Sequence, residues 1–213
     1  MIILHDYWRS SAAYRLRIAL NLSGLAYEAR PVDLLAGEHR SEANRARNPQ
    51  GLVPTLQIDG LVLTQSLAII EYLGETRGPS FVPADAPGRA RVRALAHVIA
   101  MEIAPVCNLS TRTRAAALSG GAISADDWTR PVMQAGLAAF DTMLDHPATG
   151  TYCHGNTVTL ADLCLVPQVY NARRIGLDFA PLQKIARIMD ALEALPEVAA
   201  AHPDRHAPEG ATP

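Results

Sequence analysis

Hydrophobic and polar positions along the chain change their period after about 80 of the 213 residues. In the first part, short stretches in which apolar residues are continuous or alternate with polar ones, at residues 2–4, 27–32, 55–58 and 61–64, predict strands. Apolar residues with helical spacing lie between the first two stretches and after the last one. The order β-α-β-(α)-β-β-α predicts a mixed sheet with helices on its faces.

The rest of the chain shows helical periodicity and no strand signal. Residues 79–88 are too rich in Pro and Gly for a regular element and predict a linker. Helical patterns then cover residues 89–114, 126–144 and 160–174. Pro105 predicts a kink in the first of these helices, because proline removes a backbone donor.

These patterns predict two domains. We expect an α/β domain over residues 1–78, the linker over residues 79–88 and an all-α domain over residues 89–213. The polar, proline-rich end of the chain from residue 203 onward predicts a frayed tail.

Composition and charge narrow the class of protein. Hydrophobic residues make up 49% of the chain and charged residues 19%, and a net charge of −2 argues against nucleic acid or an anionic membrane as the main partner. We expect neither a signal peptide nor a membrane span, because the N-terminus lacks a basic start and no run of about 18 apolar residues occurs. Three cysteines without CxxC spacing predict reduced thiols in the cytoplasm, and neither disulfides nor a metal site.

One segment of the first domain carries a specific binding signal. Pro54 marks the start of a strand, and a cis Val53–Pro54 bond would turn the peptide groups of Val53 outward. Asp59-Gly60 predicts a tight hairpin turn, and Ser66 precedes a helical run as an N-cap, where unpaired N–H groups suit a carboxylate. A backbone edge for a peptide beside an anion site looks like the glutathione site of a thioredoxin-like domain.

A second local signal lies in the helical half. Thr159 and Asp162 predict a capping box, in which each side chain bonds to the backbone N–H of the other, and Val158 can pack on Leu163. Its direct role is a well-started helix. A buried cap of this kind begins the core helix of the second domain in glutathione transferases.

Together, four segments resemble the zeta class of glutathione transferases, the maleylacetoacetate and maleylpyruvate isomerases. They are WRSSAAYRLRIAL (8–20), NPQGLVPTL (48–56), QSLAIIEYL (65–73) and LADLCLVPQV (160–169). The likeness runs nearly end to end. It implies a glutathione transferase fold, with a thioredoxin-like α/β N-terminal domain and an all-α C-terminal domain, glutathione as the cofactor, and a cytoplasmic homodimer.

Three positions depart from the class. Ala12 stands where the motif usually has a cysteine after the two serines, so we expect the glutathione thiol to be the only reactive sulfur that is needed. Ala104 replaces a histidine often seen in bacterial relatives, and Cys107 replaces Asn or Gln. The last two changes bear on the substrate more than on the reaction.

Activation of glutathione requires a site that favours its thiolate. We assign this role to Ser11, just before the first helix, where its hydroxyl and the helix dipole both support an anion. An N-cap without chemistry is the alternative for Ser11. Ser10 is the second candidate for the same role, and Arg9 completes the candidate catalytic set.

Glutathione also needs partners for its peptide and its carboxylates. We expect Val53 to pair its N–H and C=O with the cysteinyl unit, and Gln65 and Ser66 to hold the γ-glutamyl carboxylate. His39 and Gln50 are weaker candidates for the glycine end, and a solvated loop is the preferred interpretation of His39. The full set is Ser11, His39, Gln50, Val53, Pro54, Gln65, Ser66 and Asn108.

The substrates that the resemblance implies are cis-enediones ending in carboxylates. Thiolate addition to the conjugated double bond leaves a single bond that rotates, and elimination then gives the trans isomer. Arginine suits both the developing enolate and the carboxylate. All but one of the 19 basic residues are arginine, so a solvated surface role is the alternative for each candidate. The candidate substrate-binding residues are Arg9, Asn108, Arg112 and Arg174.

Three functions remain open. The first is glutathione-dependent isomerisation of maleylacetoacetate to fumarylacetoacetate, with maleylpyruvate as the alternative substrate. The second is a glutathione transferase or dehalogenase that acts on α-haloacids with the same groups. The third is a non-catalytic interaction module, which fits less well because a scaffold needs neither the serines nor the arginines.

Overall fold

A computed structural model describes residues 1–210, which belong to two compact units. The first unit combines Met1–Phe81 with the described residues from Ala194 onward, and the second is Val82–Glu193. This division differs from the predicted domains at the C-terminal end of the chain, which packs with the α/β part.

The first unit is built on a four-stranded mixed sheet, as the sequence predicts. Its strands are β1 (Ile3–Asp6), β2 (Glu28–Pro31), β3 (Thr55–Ile58) and β4 (Leu61–Thr64), in the order β2-β1-β3-β4. β2 is parallel to β1, whereas β3 is antiparallel to both β1 and β4. β1 is central and buried, and β2 and β4 form the edges.

Three helices accompany the sheet in this part of the unit: α1 (Ser11–Leu22), α2 (Glu42–Arg47) and α3 (Ser66–Thr76). Leu16, Ile18 and Leu20 of α1 are fully buried, and α1 packs against α3. The β3–β4 turn has positive φ at both Asp59 (55°) and Gly60 (76°), as a type I′ hairpin turn requires. The predicted hairpin is therefore confirmed.

The C-terminal segment packs with the rest of the first unit. It contains α10 (Pro196–Ala200, the tenth helix of the chain) and a 3₁₀ turn at Pro203–Arg205. Asn21 donates to the carbonyl of Glu197 at 2.9 Å, and Ala201 is fully buried. Pro203 is buried, and His206 Nε2 lies 3.1 Å from the carbonyl oxygen of Ala200, so the prediction of a frayed tail is wrong for residues 203–206. Residues 211–213 lie outside the described part.

The second unit is helical. Its helices are α4 (Ala86–His97), α5 (Ala104–Cys107), α6 (Leu109–Leu118), α7 (Ala125–Met143), α8 (Leu160–Arg174) and α9 (Gln183–Glu193). Asp85 caps α4 by accepting from Gly88 N–H at 2.7 Å, so the predicted linker ends earlier than expected. A π-helical turn, Val98–Ile103, precedes Pro105, where the sequence predicts a kink; proline lacks the N–H that an α-helical ladder needs there.

The helix α8 is the core of the second unit, and its bounds are those predicted. Residues 160–169 are all buried, and α4 packs along it. Among residues 1–210 no single helix is long and apolar enough to cross a membrane, although Ala86–Cys107 and Leu109–Leu118, bent by 43° at their junction, pass that test together on length and composition.

Candidate active site

The N-terminus of α1 presents the two serines in different roles. Ser10 is the N-cap, with extended backbone (φ −67°, ψ 120°), and its Oγ accepts from Ala13 N–H at 3.3 Å. Ser11 is the first helical residue and half-buried. The expectation that Ser11 precedes the helix is therefore wrong, and the capping role weighed for Ser11 belongs to Ser10. Ser11 lies in the first turn, where unpaired N–H groups and the helix dipole favour an anion.

An aromatic ring supports Arg9. The guanidinium carbon of Arg9 lies 4.2 Å from the centroid of the Trp8 ring, within the range of a cation–π contact. Trp8 is buried, and its carbonyl accepts from Arg17 Nη2 at 2.8 Å. Trp8 is not among the site residues that the sequence predicts. The signal that could have identified Trp8 is its position directly before a candidate arginine.

The loop before β3 leaves a backbone edge open. The Val53–Pro54 bond is cis. Among the hydrogen bonds of residues 1–210, none uses the N–H or C=O of Val53. The loop itself is held in place, because Asn48 Nδ2 donates to the carbonyl of Leu52 at 3.0 Å and Asn48 Oδ1 accepts from Gln50 N–H at 3.1 Å. Val53 can therefore pair with an added peptide without giving up an existing bond.

The N-terminus of α3 follows at the same end of the hairpin, since Thr55 pairs with Thr64. Gln65 is the N-cap, with φ 67° and no side-chain capping bond, and Ser66 is the first helical residue. The prediction of Ser66 as N-cap is therefore wrong by one position. A non-glycine residue at positive φ is uncommon and typical of binding sites. Gln65 Nε2 donates to Gln50 Oε1 at 2.8 Å, so two predicted residues meet here.

Behind Ser66 lies an arginine that is not among the predicted site residues. Arg15 of α1 is buried, and its Nη1 donates to Ser66 Oγ at 3.3 Å.

The ring of His39 is half-buried in a 3₁₀ turn, so the preferred interpretation of a solvated loop is wrong. Burial, with Arg40 and Arg45 nearby, lowers the pKa of His39, which keeps it neutral at pH 7.

The predicted residues of the second unit are at helix ends. Asn108 is the N-cap of α6, where its Oδ1 accepts from Thr111 N–H and from the Ser110 hydroxyl, both at 2.9 Å. Arg112 Nη1 lies 3.6 Å from Asp126 Oδ1. Asn108 therefore has a structural use, and its amide nitrogen is the group that suits a ligand.

The C-terminus of α8 presents two arginines. Arg174 is exposed, and its guanidinium carbon lies 5.8 Å from the Tyr170 ring centroid. Arg173 forms an ion pair with Glu193. Among residues 1–210, no cluster of three or more His, Cys, Asp or Glu side chains has the arrangement of a metal site.

Glutathione fits the arrangement within the first unit. A tripeptide needs a backbone partner, which Val53 offers; a carboxylate needs donors, which the uncapped N-terminus of α3 offers. A thiolate needs a donor in a positive field, which Ser11 in the first turn of α1 offers. The fold and these three features together define the class of glutathione transferases.

Comparison with known proteins agrees with that class and narrows it. The chain matches the family models "Glutathione S-transferase, N-terminal domain" over residues 4–81 and "Glutathione S-transferase, C-terminal domain" over residues 116–201. It is 56% identical over 208 residues to maleylacetoacetate isomerase of Rhizobium meliloti, which covers 97% of this chain and 98% of that protein.

Two solved structures are similar over nearly the whole chain. One is the holo structure of a bacterial zeta-class maleylpyruvate isomerase, with a TM-score of 0.92 and 41% identity, covering 98% of this chain and 100% of the other. The second is maleylacetoacetate isomerase from Methylobacterium extorquens AM1 with bound malonate and glutathione, with a TM-score of 0.91 and 40% identity, covering 97% and 99%. The chain belongs to the zeta-class maleylacetoacetate isomerase family.

Proposed function

We propose that this protein isomerises maleylacetoacetate to fumarylacetoacetate with glutathione as cofactor. The observation that carries the proposal is the open backbone of Val53 beside the uncapped N-terminus of α3. A peptide that also bears a carboxylate satisfies both features at once. Membership of the maleylacetoacetate isomerase family supports the choice of reaction.

The residues of the first unit have distinct roles in this proposal. Gln65 and Ser66 bind the γ-glutamyl carboxylate, and Val53 pairs with the cysteinyl unit. When bound, glutathione supplies the thiolate that adds reversibly to the cis double bond and so permits its rotation. Ser11 donates its hydroxyl to sulfur and stabilises the thiolate in the field of α1. Ser10 holds the start of that helix.

Arginine side chains serve the other reactant. Arg9, oriented by the Trp8 ring, and Arg174 bind the carboxylates of the substrate and offset negative charge on the enolate oxygen. The related protein from M. extorquens was solved with malonate, itself a dicarboxylate, which supports a preference for this chemistry. Arg112 and the amide nitrogen of Asn108 are further candidates for substrate or glutathione.

The test is loss of enedione absorbance with maleylacetoacetate and with maleylpyruvate, each with and without glutathione. We expect isomerisation with glutathione and none when S-methylglutathione replaces it, because the methylated sulfur cannot add to the double bond. Chloride release from an α-haloacid, without isomerisation of either maleyl acid, would instead support a dehalogenase. Absorbance loss independent of glutathione would refute the proposed mechanism.

We further propose that the protein acts in the cytoplasm as a homodimer. Leu61 and Val62 of the edge strand β4 are 45% and 49% exposed, and exposed apolar side chains on an edge strand favour association. Sedimentation velocity is expected to give twice the 22.9 kDa mass of the chain.

A further inference from the structure

Arg15 is a buried cation with little to satisfy it. The residue is 4% exposed, and its Nη1 donates to Ser66 Oγ at 3.3 Å. Its Nε and Nη2 are buried and have no hydrogen-bond partner among residues 1–210. No carboxylate in that part of the chain forms an ion pair with it. Burial of a charge in this state is strongly unfavourable unless something else compensates it.

Arg17, two residues later on the same helix, shows that the fold can satisfy a buried arginine. Its side chain is fully buried, and each nitrogen has an acceptor. Nη1 donates to Asp6 Oδ2 at 2.6 Å, Nη2 to the carbonyl of Trp8 at 2.8 Å and Nε to the carbonyl of Ala201 at 3.1 Å. The two nitrogens of Arg15 that lack a partner within residues 1–210 therefore differ from those of Arg17, the other buried arginine of the same helix.

The surroundings of Arg15 add positive charge. Its guanidinium lies against Ser66, the first residue of α3, and the N-terminus of that helix carries a positive partial charge. The first turn of α3 has no acidic residue and no capping side chain. A guanidinium and an open helix N-terminus at one place repel each other, and a bound anion relieves both.

We propose that Arg15 is the buried counter-charge of the carboxylate site at the N-terminus of α3, and that it orients Ser66 toward the γ-glutamyl carboxylate of glutathione. The inference rests on the proposed use of glutathione. Arg15 donates to the Ser66 oxygen, so the hydroxyl proton of Ser66 is left for the ligand. Arg15 is thus a positioning residue, which acts through Ser66 and through its charge.

A structural role and a counter-charge role predict opposite effects on the ligand-free protein. If Arg15 is a counter-charge, Arg15→Met removes an unfavourable buried charge and keeps most of the volume. The midpoint of urea unfolding without ligand should then stay the same or rise. Arg17→Met is the matched control, and it should lower that midpoint because it leaves Asp6 buried without its partner.

Binding is measured by calorimetry with S-methylglutathione, which keeps both carboxylates and does not react. We expect Arg15→Met to weaken binding at least about tenfold and Arg15→Lys to recover most of the loss. The second probe is γ-aminobutyryl-S-methylcysteinylglycine, which lacks the γ-glutamyl carboxylate. It should bind the wild type weakly, with less than about twofold further loss in Arg15→Met.

Three results would overturn the inference. Binding of S-methylglutathione by Arg15→Met at wild-type strength would show that the charge is not used. A loss of ligand-free stability as large as that of Arg17→Met would make Arg15 a structural residue. Failure of the wild type itself to bind S-methylglutathione would refute the proposed function and this inference with it, so the two failures are distinguishable.

Discussion

The N-terminus of α8 in the second unit is buried and carries its own anion, whereas the N-terminus of α3 in the first unit has an exposed N-cap, Gln65, and no anion of its own. The Asp162 carboxylate, fully buried, accepts from the N–H and hydroxyl of Thr159 at 2.8 and 2.7 Å, and from Cys153 N–H at 2.8 Å. The predicted contact of Asp162 with the amide of Thr159 is confirmed. At α3 the residues in the corresponding positions offer no carboxylate.

The presence or absence of a side-chain carboxylate distinguishes a helix N-terminus with a structural role from one that is available to a ligand. A helix that satisfies its first N–H groups with its own side chain has nothing left for a ligand. A helix end without such a side chain, placed beside a buried cation such as Arg15, keeps unpaired N–H groups that can bind an anion. Substitutions at the first kind of site should change stability, and at the second kind binding or rate.

Removal of the internal anion should have the largest effect. Asp162→Ala leaves the N–H groups of Thr159 and Cys153 buried without their acceptor, so we expect the free energy of unfolding to fall by roughly 3–5 kcal/mol. Urea unfolding followed by circular dichroism measures it. Asp127→Ala is the matched control, since Asp127 forms the same motif with Ser124 on α7 but is exposed. Equal losses would contradict the comparison.

Next in size is the effect of the arginines proposed to bind substrate. Arg9→Ala and Arg174→Ala should each lower kcat/KM for maleyl substrates, because a ligand carboxylate loses a charged partner. The expected loss of transition-state stabilisation is roughly 2–5 kcal/mol, with little change in glutathione affinity. Steady-state kinetics and calorimetry measure the two quantities. Arg205→Ala, exposed in the C-terminal segment, is the control for the arginine excess.

If both variants stay within about threefold of wild type, under ~1 kcal/mol, the arginines do not bind the substrate carboxylates. Conjugation of a neutral electrophile would then become the better hypothesis.

The two adjacent serines at the start of α1 repeat the comparison between a structural and a binding role. Ser11→Ala should lower the isomerisation rate at least tenfold while glutathione still binds, since one donor to a developing anion is worth roughly 2–4 kcal/mol. Ser10→Ala should instead lower stability by about 1 kcal/mol, because its Oγ caps the helix. Rate measurements at pH 7 and urea unfolding of both variants decide between them. A full rate for Ser11→Ala and a slow Ser10→Ala would exchange the roles.

Thiol alkylation should have the smallest effect. Ala12 leaves the N-terminus of α1 without a cysteine, and the described cysteines are poorly reactive. Burial raises the pKa of Cys107 to about 11, so about one thiol in a thousand is ionised at pH 8. Cys153 is buried and its pKa is also raised by burial, and Cys164 is buried.

We therefore expect full activity after treatment with iodoacetamide at pH 8 and removal of the reagent. Because a raised thiol pKa keeps the group neutral until the pH approaches it, modification should accelerate as the pH rises toward 11. Rapid irreversible inactivation at pH 8 that glutathione prevents would instead place Cys107 in the active site.

Much of the fold follows from local patterns. The Asp59-Gly60 turn, the bounds of α8 and its capping carboxylate are predicted because each depends on residues within a few positions of one another. The amphipathic helix α9 was missed, although Ile185, Ile188, Met189 and Leu192 have helical spacing and are buried. There the signal was present in the sequence and was not used.

Assignments that depend on distant partners were beyond the sequence. Ser10 and Ser11 are chemically equivalent as N-cap residues, and only the position at which α1 begins decides that Ser10 is the N-cap. The packing of the C-terminal segment with the α/β part depends on contacts such as that of the Ala201 carbonyl, which accepts from Arg17, 184 positions earlier in the chain.

The sequence alone determined the class of fold, the open backbone edge at Val53 and the bounds of α8, because periodicity, turn chemistry and capping are local. The tertiary structure decided which of the two buried arginines on α1 has a carboxylate partner in the described part of the chain and which has none. Arg15 and Arg17 are both buried on α1, and nothing local distinguishes them. Arg17 donates to Asp6, Trp8 and Ala201, whereas within residues 1–210 Arg15 donates only to Ser66. The partners differ because packing between distant segments sets the environment of a buried charge.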